Sequence, residues 1–139
     1  MTLYDFVLEA KRVGEEKRLA ERREHRMTRP VVTDHSLVRE FYDCFILQSG
    51  GRPPGYDDRM YQRRVFILMM VRLYSPVTLA GGRFDGALRK EIANIFGCSP
   101  SAVSHMYSDI SFLLKNMRKF RETAENAFKL LIQEKNITL

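Results

Sequence analysis

The sequence has few cysteines, no long apolar run and no apolar leader, and each absence excludes a class of protein. Only Cys44 and Cys98 among the 139 residues are cysteines, without the spacing of a zinc site or the number needed for a disulfide framework. The longest apolar run, Val65 to Val71, is far shorter than a membrane span, and the first residues lack the apolar core of a signal peptide. We therefore expect a cytoplasmic protein without a membrane partner.

Patterns typical of catalytic and cofactor sites are also missing from the sequence. It contains no phosphate loop of the GxxxxGK type, no paired carboxylates and no metal-ligand spacing. Asp34, His35 and Ser36 are the residue types of a hydrolase triad, but consecutive residues at a helix start point in different directions, so this segment is expected to cap a helix. We expect no enzyme activity, no cofactor, no metal and no small-molecule substrate.

The length and the charge balance favour a single domain with a polyanionic partner. A chain of 139 residues can bury a real core but is short for a two-domain enzyme. Lys and Arg number 23 against 17 Asp and Glu, which gives a net charge of +6 and a pI near 9.5. An excess of positive charge of this size is typical of proteins that bind nucleic acid, but on its own it is weak evidence for that function.

Apolar residues recur at helical spacing along the chain, which predicts an all-α helical bundle. Residues 1–30 read as a charged N-terminal helix or arm that Thr2 caps and Arg29-Pro30 ends, and residues 31–139 as one helical domain. A second helix follows Thr33 or Asp34, and the Gly- and Pro-rich segment 49–58 is a predicted loop. The third helix carries the Val65 to Val71 run. That run could also be a buried strand, but its polar, helix-friendly flank favours a core helix.

The segment from Leu88 to Met106 organises the predicted domain, because it reads as two short helices joined by a tight turn. Gly97 stands where a helix ends on a residue that adopts positive φ easily. Ser99 can cap the next helix, and Pro100 suits its first position. The inward sides of the two helices are expected to be apolar: Ile92, Ala93 and Phe96 in the first, Val103 and Met106 in the second.

This segment resembles the helix-turn-helix of bacterial and phage DNA-binding proteins. That family has a small residue midway along the first helix, a turn glycine four residues later and an aliphatic residue six beyond it, which match Ala93, Gly97 and Val103. The resemblance places the motif at residues 86–110 and implies that the second helix enters the DNA major groove. The base-contacting residues that it implies are Ser99, Ser101, Ala102, Ser104 and His105.

The motif itself carries little positive charge, so phosphate contacts have to come from its surroundings. Between Phe84 and Ile110 there are two basic and three acidic residues, whereas DNA affinity comes largely from Lys and Arg. The expected phosphate-contacting residues lie in the motif, in the helix after it and in the third helix: Arg89, Lys90, Lys115, Arg118, Lys119, Arg121, Arg63 and Arg64.

Beyond the motif, apolar residues continue in alternating steps of three and four, which is the pattern of a helix that packs along a neighbour. Neither Gly nor Pro occurs after Pro100, so we expect the second motif helix to continue into a long C-terminal helix over 111–135. A break near Asn116, with a last helix from Met117 to about Lys135, is the alternative. The expected oligomer interface on this stripe comprises Leu113, Met117, Phe120, Ala124, Ala127, Phe128 and Leu131.

The sequence thus predicts a sequence-preferring protein that binds double-stranded DNA and regulates transcription. We expect it to act as a homo-oligomer, most simply a dimer, with the long C-terminal helix and the first helix making the interface. Two motifs related by symmetry can read two half-sites. One alternative is a phage or mobile-element assembly protein, which the size and motif make similar to a small terminase subunit. Another is a protein-interaction module that does not bind DNA.

Overall fold

The structure, a computed structural model, describes residues 1–48 and 56–139, with the backbone alone at residues 56–59. The described residues form helices and connecting turns and contain no strand, which confirms the all-α prediction. None of the helices in this part of the chain is long and apolar enough to cross a membrane. Most of the predicted loop, residues 49–55, lies outside the described residues.

The helices are α1 Leu3–Met27, α2 Val38–Gln48, α3 Tyr56–Tyr74, α4 Gly86–Phe96, α5 Pro100–Ser108, α6 Ile110–Asn116 and α7 Arg118–Lys135, with short 3-10 turns at His35–Leu37 and Pro76–Ala80.

The helix α3 forms the centre of the core, as its apolar run predicts. Every residue from Val65 to Tyr74 except Leu68 and Arg72 is buried. The helices α2, α4, α5 and α7 all pack on α3. A helix that is apolar on nearly every side needs neighbours on every side, so α3 determines where the others lie.

Aromatic rings join three of these helices around Phe66 of α3. Its fully buried ring lies 5.8 Å from Phe45 and 5.1 Å from Tyr42, both on α2, and 6.0 Å from Phe96 on α4, measured between ring centroids. Ring pairs at such separations add to the free energy gained from buried area alone. The C-terminal end of α4 is therefore fixed directly to the core.

The first helix, α1, is a single uninterrupted helix that lies outside the core. It starts with a capping box, in which the Thr2 hydroxyl accepts from the Asp5 N–H while the Asp5 carboxylate accepts from the Thr2 N–H, each at 3.1 Å. None of its residues is buried. Its C-terminal end lies beside the second 3-10 turn, where Met27, Pro76 and Leu79 line a shared groove.

The chain does not continue as one long helix beyond the motif, so that prediction is wrong. It turns gently at Asp109 and sharply at Met117, which has an extended backbone with φ −117° and ψ 93°. The alternative of a break near Asn116 is the one that the structure shows. A straight helix over residues 100–135 would be about 54 Å long and would carry its second half away from the core. The turn instead brings α7 back onto α2, α3 and α6.

Because α7 folds back, much of the predicted oligomer stripe is used inside the chain. Phe120, Ala124 and Leu131 are buried, and the ring of Phe120 packs edge-on against Tyr61 of α3 at 5.3 Å. These three side chains are therefore not available to a second subunit, which corrects that part of the prediction. Leu113, Ala127 and Phe128 are half-buried against the same core, and Met117 is about half exposed.

Replacing Tyr74 with Phe should weaken the fold and also change how its stability depends on pH. The Tyr74 hydroxyl donates to the Asp34 carbonyl at 2.7 Å, and burial raises its pKa well above the ordinary 10.0. The unfolded chain loses this proton near the ordinary value while the folded chain keeps it, so the free energy of unfolding falls as the pH rises above about 10. In urea titrations, Tyr74→Phe should lower the free energy of unfolding by about 1 kcal/mol at neutral pH. Above about pH 10 the free energy of unfolding of this variant should fall less steeply with pH than that of the wild type.

The matched control is Tyr4→Phe, since Tyr4 on α1 is largely exposed. That variant should have the wild-type free energy of unfolding at neutral pH. If the free energy of unfolding fell equally steeply at alkaline pH in Tyr74→Phe and in the wild type, the raised pKa of Tyr74 would not be the cause of the decline.

Candidate nucleic-acid interface

The helix α4 is capped at both ends by the residues that the sequence predicts. The Asp85 carboxylate accepts from the Ala87 N–H at 3.1 Å, and its second oxygen lies 2.8 Å from Nε2 of His35. At the other end Gly97 has φ +69° and ψ 36°, and the Cys98 N–H donates to the Ala93 carbonyl at 3.0 Å. This left-handed glycine reverses the chain within three residues and starts α5 next to the end of α4.

The helix α5 begins at this turn and presses its apolar side against the core. The Ser99 hydroxyl accepts from the Ala102 N–H at 3.2 Å, and Pro100 occupies the first helical position. Val103 and Met106 are buried, and α5 packs on both α4 and α3. Since these inward residues fix the rotation of α5 about its axis, they also determine which side chains point outward.

The outward face of α5 is a short polar row. Ser101, His105 and Ser108 are exposed and follow one another in steps of four and three, so they lie on one side of the helix. Ser99 is also exposed, although its hydroxyl already caps α5, while Ala102 and Ser104 are half-buried at the edges of the row. Of the five predicted base-contacting residues, Ser101 and His105 therefore lie in the exposed row, whereas Ser99 caps the helix and Ala102 and Ser104 lie at the edges of the row.

An arginine of α4 reaches the edge of this row. Nη1 of Arg89 donates to the Ser104 hydroxyl at 3.2 Å, which links α4 to α5 across the motif. Nε of the same guanidinium is buried without a hydrogen-bond partner among the described residues. Arg89 thus places a positive charge beside a row without Lys, Arg, Asp or Glu, and it also holds Ser104 in position.

Besides Arg89, two more of the predicted phosphate-contacting residues have partners within the chain. The Arg63 guanidinium donates to the Phe96 carbonyl at 2.8 Å and lies 4.7 Å above the Phe96 ring, so it caps the end of α4. Arg64 pairs with the Asp109 carboxylate at 2.8 Å, at the junction of α5 and α6. Both guanidinium groups are already bound within the chain, so they are poor candidates for phosphate contacts.

Apart from Arg89, which is half-buried and bonded to Ser104, the remaining predicted phosphate-contacting residues have exposed side chains. They lie on α4, at the end of α6 and in the first turn of α7: Lys90, Lys115, Arg118, Lys119 and Arg121. Arg118 forms an exposed pair with Glu122 at 2.8 Å, which water and salt screen easily. The other four have no ion pair with another described residue; Lys90 lies in the motif, and Lys115, Lys119 and Arg121 follow it in the chain.

Two long-range contacts that support the motif have no signal in the sequence. The His35–Asp85 pair joins the first 3-10 turn to the start of α4, and His35 also stacks on Tyr74 at 5.3 Å. The Tyr107 hydroxyl donates to the Thr78 carbonyl at 3.2 Å, and burial raises its pKa. Each contact joins residues at least 29 positions apart, a distance over which local patterns carry no information.

Replacing Gly97 with Ala should destabilise the protein by about 1–2 kcal/mol, because a Cβ disfavours the left-handed conformation. Space is not the cause, since a Cβ at this position would meet no atom within 4 Å. We expect a lower urea midpoint, with an unchanged slope of the free energy of unfolding against urea concentration.

Gly86→Ala provides the control, because a Cβ there also meets nothing within 4 Å but Gly86 does not have a positive φ. It should stay within about 0.5 kcal/mol of the wild type. If both variants lost the same free energy of unfolding, the left-handed conformation at Gly97 would not be the reason for its effect.

Comparison with known proteins returns no match, whether the chain is compared with family models, with curated proteins or with solved structures. The function must therefore be inferred from α4, α5 and the charges around them.

Proposed function

We propose that the chain binds double-stranded DNA, with the outward face of α5 lying in the major groove. The single observation that carries this proposal is the row of Ser101, His105 and Ser108, which is exposed while the opposite side of α5 is buried. A rigid helix whose outer face is polar and contains hydrogen-bonding side chains suits a groove lined by base edges. The role that we propose for this binding is regulation of transcription.

The side-chain chemistry of the row suggests which residues contact bases and which contact phosphates. Serine hydroxyls both donate and accept hydrogen bonds, and an imidazole can do the same or stack, so they can contact base edges or phosphates. None of them forms the paired contact to guanine that Arg provides. We therefore expect modest sequence preference.

Phosphate binding is assigned to the exposed basic residues of the motif and of the helices that follow it. Lys90, Lys115, Lys119 and Arg121 are exposed and carry no ion pair with another described residue, so little desolvation or bond breaking opposes a new contact. The first turn of α5 adds the Ser101 N–H, since Pro100 has none and the Ala102 and Val103 N–H groups donate to Ser99, and this turn has no acidic side chain. These contacts fix the position of the protein on DNA without reading its sequence.

Two double variants test this division of roles. Ser101→Ala with His105→Ala should lower affinity for a selected DNA site about tenfold or more, with little change on random DNA, because each lost hydrogen bond to a base is worth about 1 kcal/mol. Lys115→Ala with Lys119→Ala should weaken binding to all sequences alike. It should also lower the slope of log affinity against log salt by about 1.8, if each lysine neutralises one phosphate. Fluorescence anisotropy at several salt concentrations measures both effects.

Ser111→Ala is a suitable control for the serine change, since Ser111 is exposed on α6, outside the motif. It should bind like the wild type. No binding to any duplex at low salt would overturn the proposal, and equal effects from the two double variants would overturn the division of roles.

A further inference from the structure

The helix α1 presents an apolar face that nothing in the described chain covers. Leu3 is 81% exposed, Phe6 60% and Val13 51%, and Val7 and Ala10 are exposed between them. Their spacing in steps of three and four puts all five on one side of the helix. A contiguous exposed apolar surface of this kind usually marks an interaction site.

The interactions within α1 do not explain why it should be stable on its own. The capping box and the exposed ion pairs of Arg12 with Glu9 and Glu16 support it locally. Such contacts are individually weak, and isolated helices are marginal in water unless an apolar face is buried. The helix therefore needs a partner on the face that contains Phe6.

We infer that this partner is the α1 of a second copy of the chain, packed antiparallel with the two-fold axis near Ala10. The inference rests on α1 alone and does not depend on DNA binding. The apolar face offers roughly 500 Å² per chain, of which the Phe6 ring would supply about 150 Å². Two copies would then bury about 1,000 Å², the lower limit for a specific interface, so the dimer should be weak and concentration-dependent.

The arrangement of side-chain sizes favours the antiparallel orientation. With the axis at Ala10, Phe6 of one helix is level with Gly14 of the other, so the largest side chain meets the residue without one. Leu3 is then level with Lys17, whose alkyl stem can cover it. A parallel pair would instead place Phe6 on Phe6 and leave a gap at Gly14.

The charges of α1 agree with this orientation and oppose an anionic partner. Residues 3–16, which carry the apolar face, contain four acidic and two basic residues, whereas residues 17–27 contain five basic and two acidic ones. Anionic lipid attracts helices whose polar face is basic, and here the half with the apolar face is acidic. In a parallel pair the two basic halves would lie side by side, but in the antiparallel pair they point apart.

Sedimentation of the whole chain over a range of concentrations tests the inference. The wild type should form a dimer with a dissociation constant in the micromolar range, and Phe6→Glu should weaken it at least tenfold. Leu8→Glu is the matched control, because Leu8 is 49% exposed on the opposite side of the same helical turn, and it should dimerise like the wild type. Neither side chain is buried, so both variants should keep the wild-type urea midpoint at low concentration.

Cysteine crosslinking tests the orientation. A mixture of Leu3→Cys and Lys17→Cys chains should form covalent dimers, whereas Leu3→Cys alone should not, because its two sulfurs would lie about 21 Å apart along the helix axes. A wild type that stays monomeric would overturn the inference, as would equal weakening by Phe6→Glu and Leu8→Glu. Monomers that bind phosphatidylglycerol vesicles through Phe6 would assign the face to a membrane instead. Efficient crosslinking of Leu3→Cys alone would overturn the antiparallel geometry.

Discussion

The packing of aromatic rings around Phe66 is the interaction on which the rest of the structure depends. Rings from α2 and α4 meet this one buried side chain of α3, so the three helices are fixed to one another at a single point. The Phe96 ring does two things there, since it packs on Phe66 and also lies beneath the Arg63 guanidinium that caps α4. The end of α4, and with it the turn at Gly97, is therefore placed by the core rather than by the surface.

The position of α5 follows from that constraint. Gly97 reverses the chain between α4 and α5. Val103 and Met106 then pack the inner side of α5 against α3 and α4, and polar residues lie on its outer side. Arg89 and Arg64 then attach α5 at its edge and at its end, through Ser104 and Asp109. A helix held on so many sides can present its outer face with little loss of conformational entropy on binding, which is what a DNA-reading helix requires.

Local chemistry made much of this predictable from the sequence. The caps at Asp85 and Ser99, the turn at Gly97 and the buried character of α3 all depend on a few neighbouring residues. The break at Met117 was not predictable in the same way, because it depends on where α2 and α3 offer a surface for α7. The partners of Arg63 and Arg64 were missed for the same reason: an exposed arginine and one that caps a distant helix look alike in sequence. Whether the outer face of α5 binds DNA stays a prediction.

A titration of the isotope-labelled chain with a short duplex, followed by heteronuclear NMR, tests that central claim most directly, because each backbone amide reports its own surroundings. If α5 enters the groove, the largest shifts should fall on residues 99–105, with smaller shifts around Lys115 and Lys119. The buried amides of α3 should change little. Shifts confined to α1, or no shifts at low salt, would contradict the account.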